Sequence, residues 1–333
     1  MAQKKLIGDV VNDGLFKLLG VHVCTGRQFT MQLGTGLLYV DGKLLQVQTD
    51  IRSFKFSMDG KLLVLLNGAP RYAQNKFDVF DTVTGNHLVT MDLGNEDVRE
   101  YCFACDSKHV YAWTKTGKLY TLSVATGTRT SIICPSMGER DIKWLEHLGG
   151  NRLFFVRDDA EAYIMDIKTP TWIDTKCIYR GTIQAGSASV ESNRIALFTL
   201  STYACNLMIF EGDNGLVLHS VEIDVETEGR LFFTRDGQSL FTNSCCHGYL
   251  WDVRYGSEIL KVDRGRLMAV DDNYIYVGNH ANTRLRKWEY WDTRHAAYGF
   301  VRASGAGRYD GDKMILKGVL QTLGITSNPS EII

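Results

Sequence analysis

The stretch FSMDGKLLVLLNGAPRYAQNKFDVFDTVTG, residues 56–85, holds two short apolar runs and the turns that bound them. Ser57-Met58-Asp59-Gly60-Lys61 is a polar turn, Leu62 to Leu66 the first run, and Phe77 to Asp81 the second, which ends in an acid and closes on Thr84-Gly85. Runs of this length and composition, bounded by Asp, Asn and Gly, predict β-strands joined by hairpins. The phrase recurs along the chain. Asp106-Ser107-Lys108 opens a copy with Val110 to Trp113, a Thr116-Gly117-Lys118 turn, and Leu119 to Val124. Gly150-Asn151 opens one with Leu153 to Val156 and Ala162 to Ile167; Ser192-Asn193 opens another with Ile195 to Thr199 and Leu207 to Phe210. Asp236-Gly237-Gln238 leads into Ser239 to Thr242 and Gly248 to Asp252, and Asp272-Asn273 into Tyr274 to Val277 and Leu285 to Trp288.

With Asp59, Asp106, Asn151, Asn193, Asp236 and Asn273 as anchors, the separations are 47, 45, 42, 43 and 37 residues, a period suited to four strands per repeat. Helical periodicity does not persist, and only 4 prolines interrupt the ladders. The expected fold is therefore all-β: a single closed β-propeller of seven four-stranded blades. Six blades are expected at about 54–94, 99–135, 140–180, 183–225, 229–265 and 266–303. A seventh, shared between the termini, is expected from 1–50 and 304–325, since closure removes unpaired strand edges, with 326–333 as a tail. Eight blades follow instead if the first forty residues form one of their own.

Trp251-Asp252 and Trp291-Asp292 are WD dipeptides, and Phe80-Asp81 and Met165-Asp166 hold the equivalent place in their copies. Over Phe54 to Arg302 the chain thus resembles the WD-repeat family, without the Gly-His pair that often opens a WD repeat. The phrase ending in Thr-Gly, at Asp81 to Gly85 and Val124 to Gly127, is also similar to that of quinoprotein-like and lactonase-like propellers. The first resemblance implies a non-enzymatic scaffold that binds one or more proteins within a multi-subunit assembly. The second implies a small-molecule or enzymatic site in the central channel, with polar side chains contributed by several blades.

Composition narrows the function classes. Lysine plus arginine (37) balances aspartate plus glutamate (38), so no global field draws the chain to nucleic acid or an anionic bilayer. No apolar run is long enough for a transmembrane helix, and no uninterrupted apolar segment follows Lys4 and Lys5 as a secretory signal requires. The 8 scattered cysteines read as reduced thiols, and a cytoplasmic location is expected.

Catalytic, cofactor and metal signatures do not assemble, and none of these sites is expected. Cys102 and Cys105 have metal-ligand spacing, and Cys245-Cys246-His247 clusters soft ligands, but residues three apart on a strand face opposite ways. Gly34-Thr35-Gly36 is a fragment of a dinucleotide fingerprint without its context. His87, His109, His147 and His219 stand singly beside turns and strand ends. Asp158-Asp159-Glu161 and Asp271-Asp272 fall in inter-strand turns, where such residues bond to the backbone two residues on. The most asymmetric stretch is 284–295. Its Arg284, Arg286, Lys287, Trp288, Tyr290 and Arg294 interleave cations with aromatics, the composition of a protein-contact surface. The same mixture can stack on single-stranded RNA, a reading the net charge does not support.

Overall fold

The structure is a computed structural model that describes residues 6–11, 16–21, 28–32, 37–45, 51–67, 75–133, 142–158, 160–169, 172–201, 204–223, 230–243, 247–263, 266–270, 274–278, 285–289 and 314–316. Every regular element among them is a β-strand, and none is a helix that could cross a membrane. The chain divides into two compact units, Met1–Thr35 with Asp224–Ile333, and Gly36–Ile223.

In chain order, the first unit begins with β1 (Leu6–Val11), β2 (Phe16–Val21) and β3 (Gln28–Gln32), of which β2 and β3 form an antiparallel hairpin. The second unit begins with the short hairpin β4 (Leu38–Val40) and β5 (Lys43–Leu45). Four four-stranded antiparallel sheets follow in it, each with its strands in sequence order. They are β6 (Ile51–Phe56), β7 (Leu62–Asn67), β8 (Lys76–Asp81) and β9 (His87–Asp92), then β10 (Val98–Phe103), β11 (His109–Thr114), β12 (Lys118–Ser123) and β13 (Arg129–Ile133). Next come β14 (Ile142–Gly149), β15 (Arg152–Arg157), β16 (Glu161–Thr169) and β17 (Trp172–Arg180), then β18 (Thr182–Ser189), β19 (Arg194–Leu200), β20 (Cys205–Glu211) and β21 (Val217–Ile223). The sheets stack face on face, and their first strands β6, β10, β14 and β18 neighbour one another in turn. The apolar runs quoted from the sequence are the second and third strands of these sheets.

The core of this unit lies between the stacked faces. Val64, Phe77, Val79 and Met91 of one sheet meet Tyr101, Val110, Ala112 and Leu122 of the next. Trp113 and Leu119 meet Leu145, Phe155 and Met165, and Phe154, Val156 and Ile164 meet Ile195, Leu197 and Phe210. Second strands have both faces covered, so β7 reads LLVLLN and buries five of its six side chains. Fourth strands lie outermost and alternate, as in the VLHSVEI of β21.

The turn between third and fourth strands repeats. The N–H of Gly85 donates to Asp81 O at 2.8 Å, and Gly127 to Ser123 O and Gly215 to Glu211 O do the same, each glycine holding positive φ. Gly85 and Gly215 are required twice over. A Cβ on Gly85 would sit 3.0 Å from Leu44 O, and one on Gly215 only 2.2 Å from Ile178 Cγ2, because each turn tucks onto the preceding hairpin or sheet. A second bond ties each third strand back to the start of the second: Thr82 N–H to Lys61 O, Val124 to Lys108 O, Ile167 to Asn151 O and Gly212 to Asn193 O, at 2.8 to 2.9 Å.

The first unit carries the same grammar. β22 (Arg230–Phe233), β23 (Ser239–Asn243), β24 (His247–Asp252) and β25 (Ser257–Asp263) form a sheet in which Gly256 N–H donates to Asp252 O and Val253 N–H to Gln238 O. β26 (Arg266–Val270), β27 (Tyr274–Gly278) and β28 (Leu285–Glu289) supply three strands of another, and β29 (Met314–Leu316) is the last of the described strands. Sequence reasoning joins 1–50 to 304–325; the structure joins the termini elsewhere. β1 pairs with β28 to complete the 266–289 sheet, and β29 pairs with β25 as a fifth strand of its sheet. The reason is edge protection: the 266–289 segment yields only three described strands, leaving β28 with an open ladder that β1 fills.

Candidate functional site

The turn acids come first, since they account for most of the aspartates that a functional reading would consider. Asp81 Oδ1 accepts from the N–H of Val83 and of Thr84 at 2.8 and 2.7 Å, and Asp252 Oδ1 from those of Arg254 and Tyr255. Asp59, Asp106 and Asp236 accept from the N–H two residues on. These carboxylates build turns. Trp251 and Phe80, which precede the strand-ending acids, are buried, and the Trp251 indole N–H donates to Thr242 Oγ1 at 3.2 Å. Glu161 is bound by Arg157 and by the Tyr163 hydroxyl, and it faces Arg180 at 3.4 Å. Asp158 takes a positive φ of 50° in its hairpin; Asp159, Asp271, Asp272, Trp291 and Asp292 lie outside the described residues.

The histidines that are described divide in the same way. His147 Nδ1 accepts from the Cys105 N–H at 3.1 Å, its Nε2 lies 3.0 Å from Gly150 O, and its ring stacks on Tyr111. Burial pushes its pKa down, which keeps it neutral in this structural role. His109 pairs with Asp106 and His87 with Asp78. Cys102 is buried and Cys105 exposed, so the two thiols do not share a site; Cys245 and Cys246 lie outside the described residues.

Of the sequence-predicted contact residues, Arg286, Lys287 and Trp288 fall on β28, an interior strand with ladders on both sides. Arg286 pairs across to Asp9 and Val277, Lys287 to Tyr276, and Trp288 to Leu6 and Ile275. Arg284, Tyr290 and Arg294 lie outside the described residues.

A polar site that composition and motif do not single out lies on the first strands of the second unit. Each of these strands is the edge of its sheet opposite the outermost fourth strand, and ladders on one side only. Each also carries a register shift near its start: Ile51/Ser53 in β6, Val98/Glu100 in β10, Ile142/Trp144 in β14 and Ile183/Ala185 in β18. Such a bulge breaks the two-residue alternation and re-aims the side chains that follow it. Just beyond the shifts stand Lys55, Glu100 and Glu146, with Ser187 on β18.

Lys55 Nζ is ion-paired with Glu100 Oε1, and the ammonium also lies 5.3 Å from the Tyr101 ring centre. Burial pushes the Lys55 pKa down, but the charge and hydrogen bond of Glu100 more than reverse it, so the ammonium is held above its ordinary range. Glu146 Oε2 accepts from the Ala188 N–H at 2.5 Å and from the Ser187 hydroxyl at 3.2 Å, joining β14 to the open edge of β18. Burial is the main reason its pKa is pushed up to about 7; the Ala188 N–H, Lys55 and Ser187 oppose the rise, and Glu100 adds to it. Cys102, on the same strand as Glu100, has its thiol pushed well up by burial and stays protonated. Behind them, the Ser53 hydroxyl donates to Tyr101 Oη at 3.0 Å. Water still reaches the pair, since the side chains of Lys55 and Glu100 are 35% and 19% exposed.

The arrangement can hold charge and exchange a proton near neutral pH. Among the described residues it has no metal-binding group of three ligating side chains. The signal in the sequence was present but faint: charged residues set among the apolar ones of each strand, in SFKF at 53–56, REYCF at 99–103 and WLEHL at 144–148. Compared with known proteins, the chain matches no family model and no curated protein.

Proposed function

We propose that the chain is a WD-repeat-like β-propeller that serves as a non-enzymatic protein-interaction scaffold, a cytoplasmic subunit of a larger assembly with its sheets as blades. The reading takes seven blades, the number that the repeat period implies. The observation that carries the reading is the run Leu216-Val217-Leu218 at the start of the edge strand β21, where the three residues are 61%, 52% and 39% exposed. Consecutive apolar side chains on an open strand edge are a liability in an isolated molecule and a docking surface in an assembled one. Leu44, Val83 and Leu88 extend the same character to other outer hairpins of that unit, where the turn at Gly85 rests on the backbone of Leu44.

Affinity capture from the native source tests the proposal, comparing the intact chain with a Leu216→Ser, Leu218→Ser variant and with an Arg286→Ala, Trp288→Ala variant. A stoichiometric protein lost by either folded variant supports the scaffold and locates its surface. No co-purifying protein for any of the three chains overturns it.

A further inference from the structure

We propose that Lys55, Glu100, Glu146 and Ser187, on the first strands of the four sheets, form a binding site for a primary ammonium group. The inference goes beyond the scaffold reading and does not rest on it. The site holds two carboxylates and one ammonium, drawn from three separate strands. Lys55 serves Glu100. Glu146 is met by neutral donors only, the Ala188 N–H and the Ser187 hydroxyl, and makes no ion pair among the described residues. Ionised, the site is therefore one positive charge short, in a place hemmed in by protein yet reached by water.

The chemistry of the walls selects the missing cation. Two carboxylates exclude an anion. A divalent ion would turn the deficit of one positive charge into an excess of one, and it seeks about six or more oxygen ligands, more than this site offers. The acceptors on offer, the carboxylates of Glu100 and Glu146 and the Ser187 hydroxyl, match the three N–H donors of a primary ammonium and are wasted on a quaternary one. Without ligand, burial first and the Glu100 charge second lift the Glu146 pKa to about 7, so a proton can fill the deficit. The ligand takes that proton's place. The groups facing Glu146 are Lys55 from β6, Glu100 and the neutral Cys102 from β10, and Ser187 with the Ala188 N–H from β18; His147 beside it is engaged with Cys105 and Gly150.

Calorimetry with n-butylammonium chloride on the full chain, in buffers of different ionisation enthalpy, tests the site. Saturable binding is expected, with proton release at pH 7 and affinity falling about tenfold from pH 8 to pH 6. Tetramethylammonium at equal ionic strength should not bind. Glu146→Gln keeps an oxygen to accept from Ala188 and should weaken binding at least tenfold and abolish proton release. Lys55→Met, a second variant for use should the first fail to fold, should tighten binding by removing the competing cation. A capped Gly-Lys-Gly peptide separates the two sources of the ammonium. Affinity tenfold above that of butylammonium assigns a partner's lysine, and equal affinity assigns a free amine. Binding shared by tetramethylammonium, kept in full by Glu146→Gln, weakened or unchanged by Lys55→Met, or free of proton release overturns the proposal.

Discussion

At the outer end of one sheet after another, the turn between third and fourth strands is written in nearly the same chemistry, with a positive-φ glycine whose N–H closes on the strand-ending residue. Along the first strands the polar groups vary from sheet to sheet: Lys55 on β6, Glu100 on β10, Glu146 on β14 and Ser187 on β18. Both regions solve one problem, the backbone N–H left over at a strand's end or edge. The turns solve it with backbone geometry, which every copy can share. The first strands solve it with side chains, as when Glu146 takes the open-edge N–H of Ala188. Repetition marks what builds the sheets, and its absence marks where a site can be placed.

The comparison is broken most severely at Gly215. Alanine there meets Ile178 at 2.2 Å in a left-handed backbone, and a loss of about 3 kcal/mol in urea unfolding is expected. Gly94→Ala, with the same sign of φ but nothing within 4 Å of its Cβ, separates the two causes and should cost about 1 kcal/mol. Equal losses at both positions would show that turn conformation alone, not contact with the preceding sheet, requires the glycine.

The first-strand region is probed by pH. Glu146 titrates at about 7 in the fold against an ordinary value of 4.5, so the folded chain binds its proton more tightly than the unfolded chain does. Its contribution to stability is full below pH 4.5 and is lost as pH rises through 7, a change of about 3 kcal/mol. Thermal unfolding from pH 5 to pH 8 should show this slope in the native chain and not in Glu146→Gln. Lys55→Met should steepen it, because the nearby ammonium favours the ionised carboxyl.

Smaller effects return to the turns and the outer edge. Asp81→Ala removes an acceptor from two backbone N–H groups and should cost about 1 kcal/mol, while Asp81→Asn, which keeps an oxygen in place, should cost about half as much. Leu216→Ser, on an exposed edge, should alter stability by no more than about 0.5 kcal/mol while reducing self-association measured by light scattering.

Strand positions and turn acids were legible because they depend on neighbours in sequence. Asp59, Asp106, Asn193 and Asp236 each stand at or beside a residue of positive φ between first and second strands, and the apolar runs chosen around them are strands. The Arg286 to Trp288 stretch was conspicuous for its composition, yet composition does not say that β28 is an interior strand covered by β1. The first-strand site was hidden for a different reason. A bulge in each of β6, β10, β14 and β18 shifts the register by one residue, so simple alternation assigns the side chains beyond it to the wrong face.

By itself, then, the sequence determined the all-β class, the repeat and the turns, since short-range hydrogen bonds and alternating burial are encoded by adjacent residues. The tertiary structure alone decided that β1 completes the 266–289 sheet, and that Lys55 meets Glu100 and Ser187 meets Glu146, partners 45 and 41 residues apart. Pairing across such separations follows from stacking whole sheets, and the burial that raises the Glu146 pKa exists only once they are stacked.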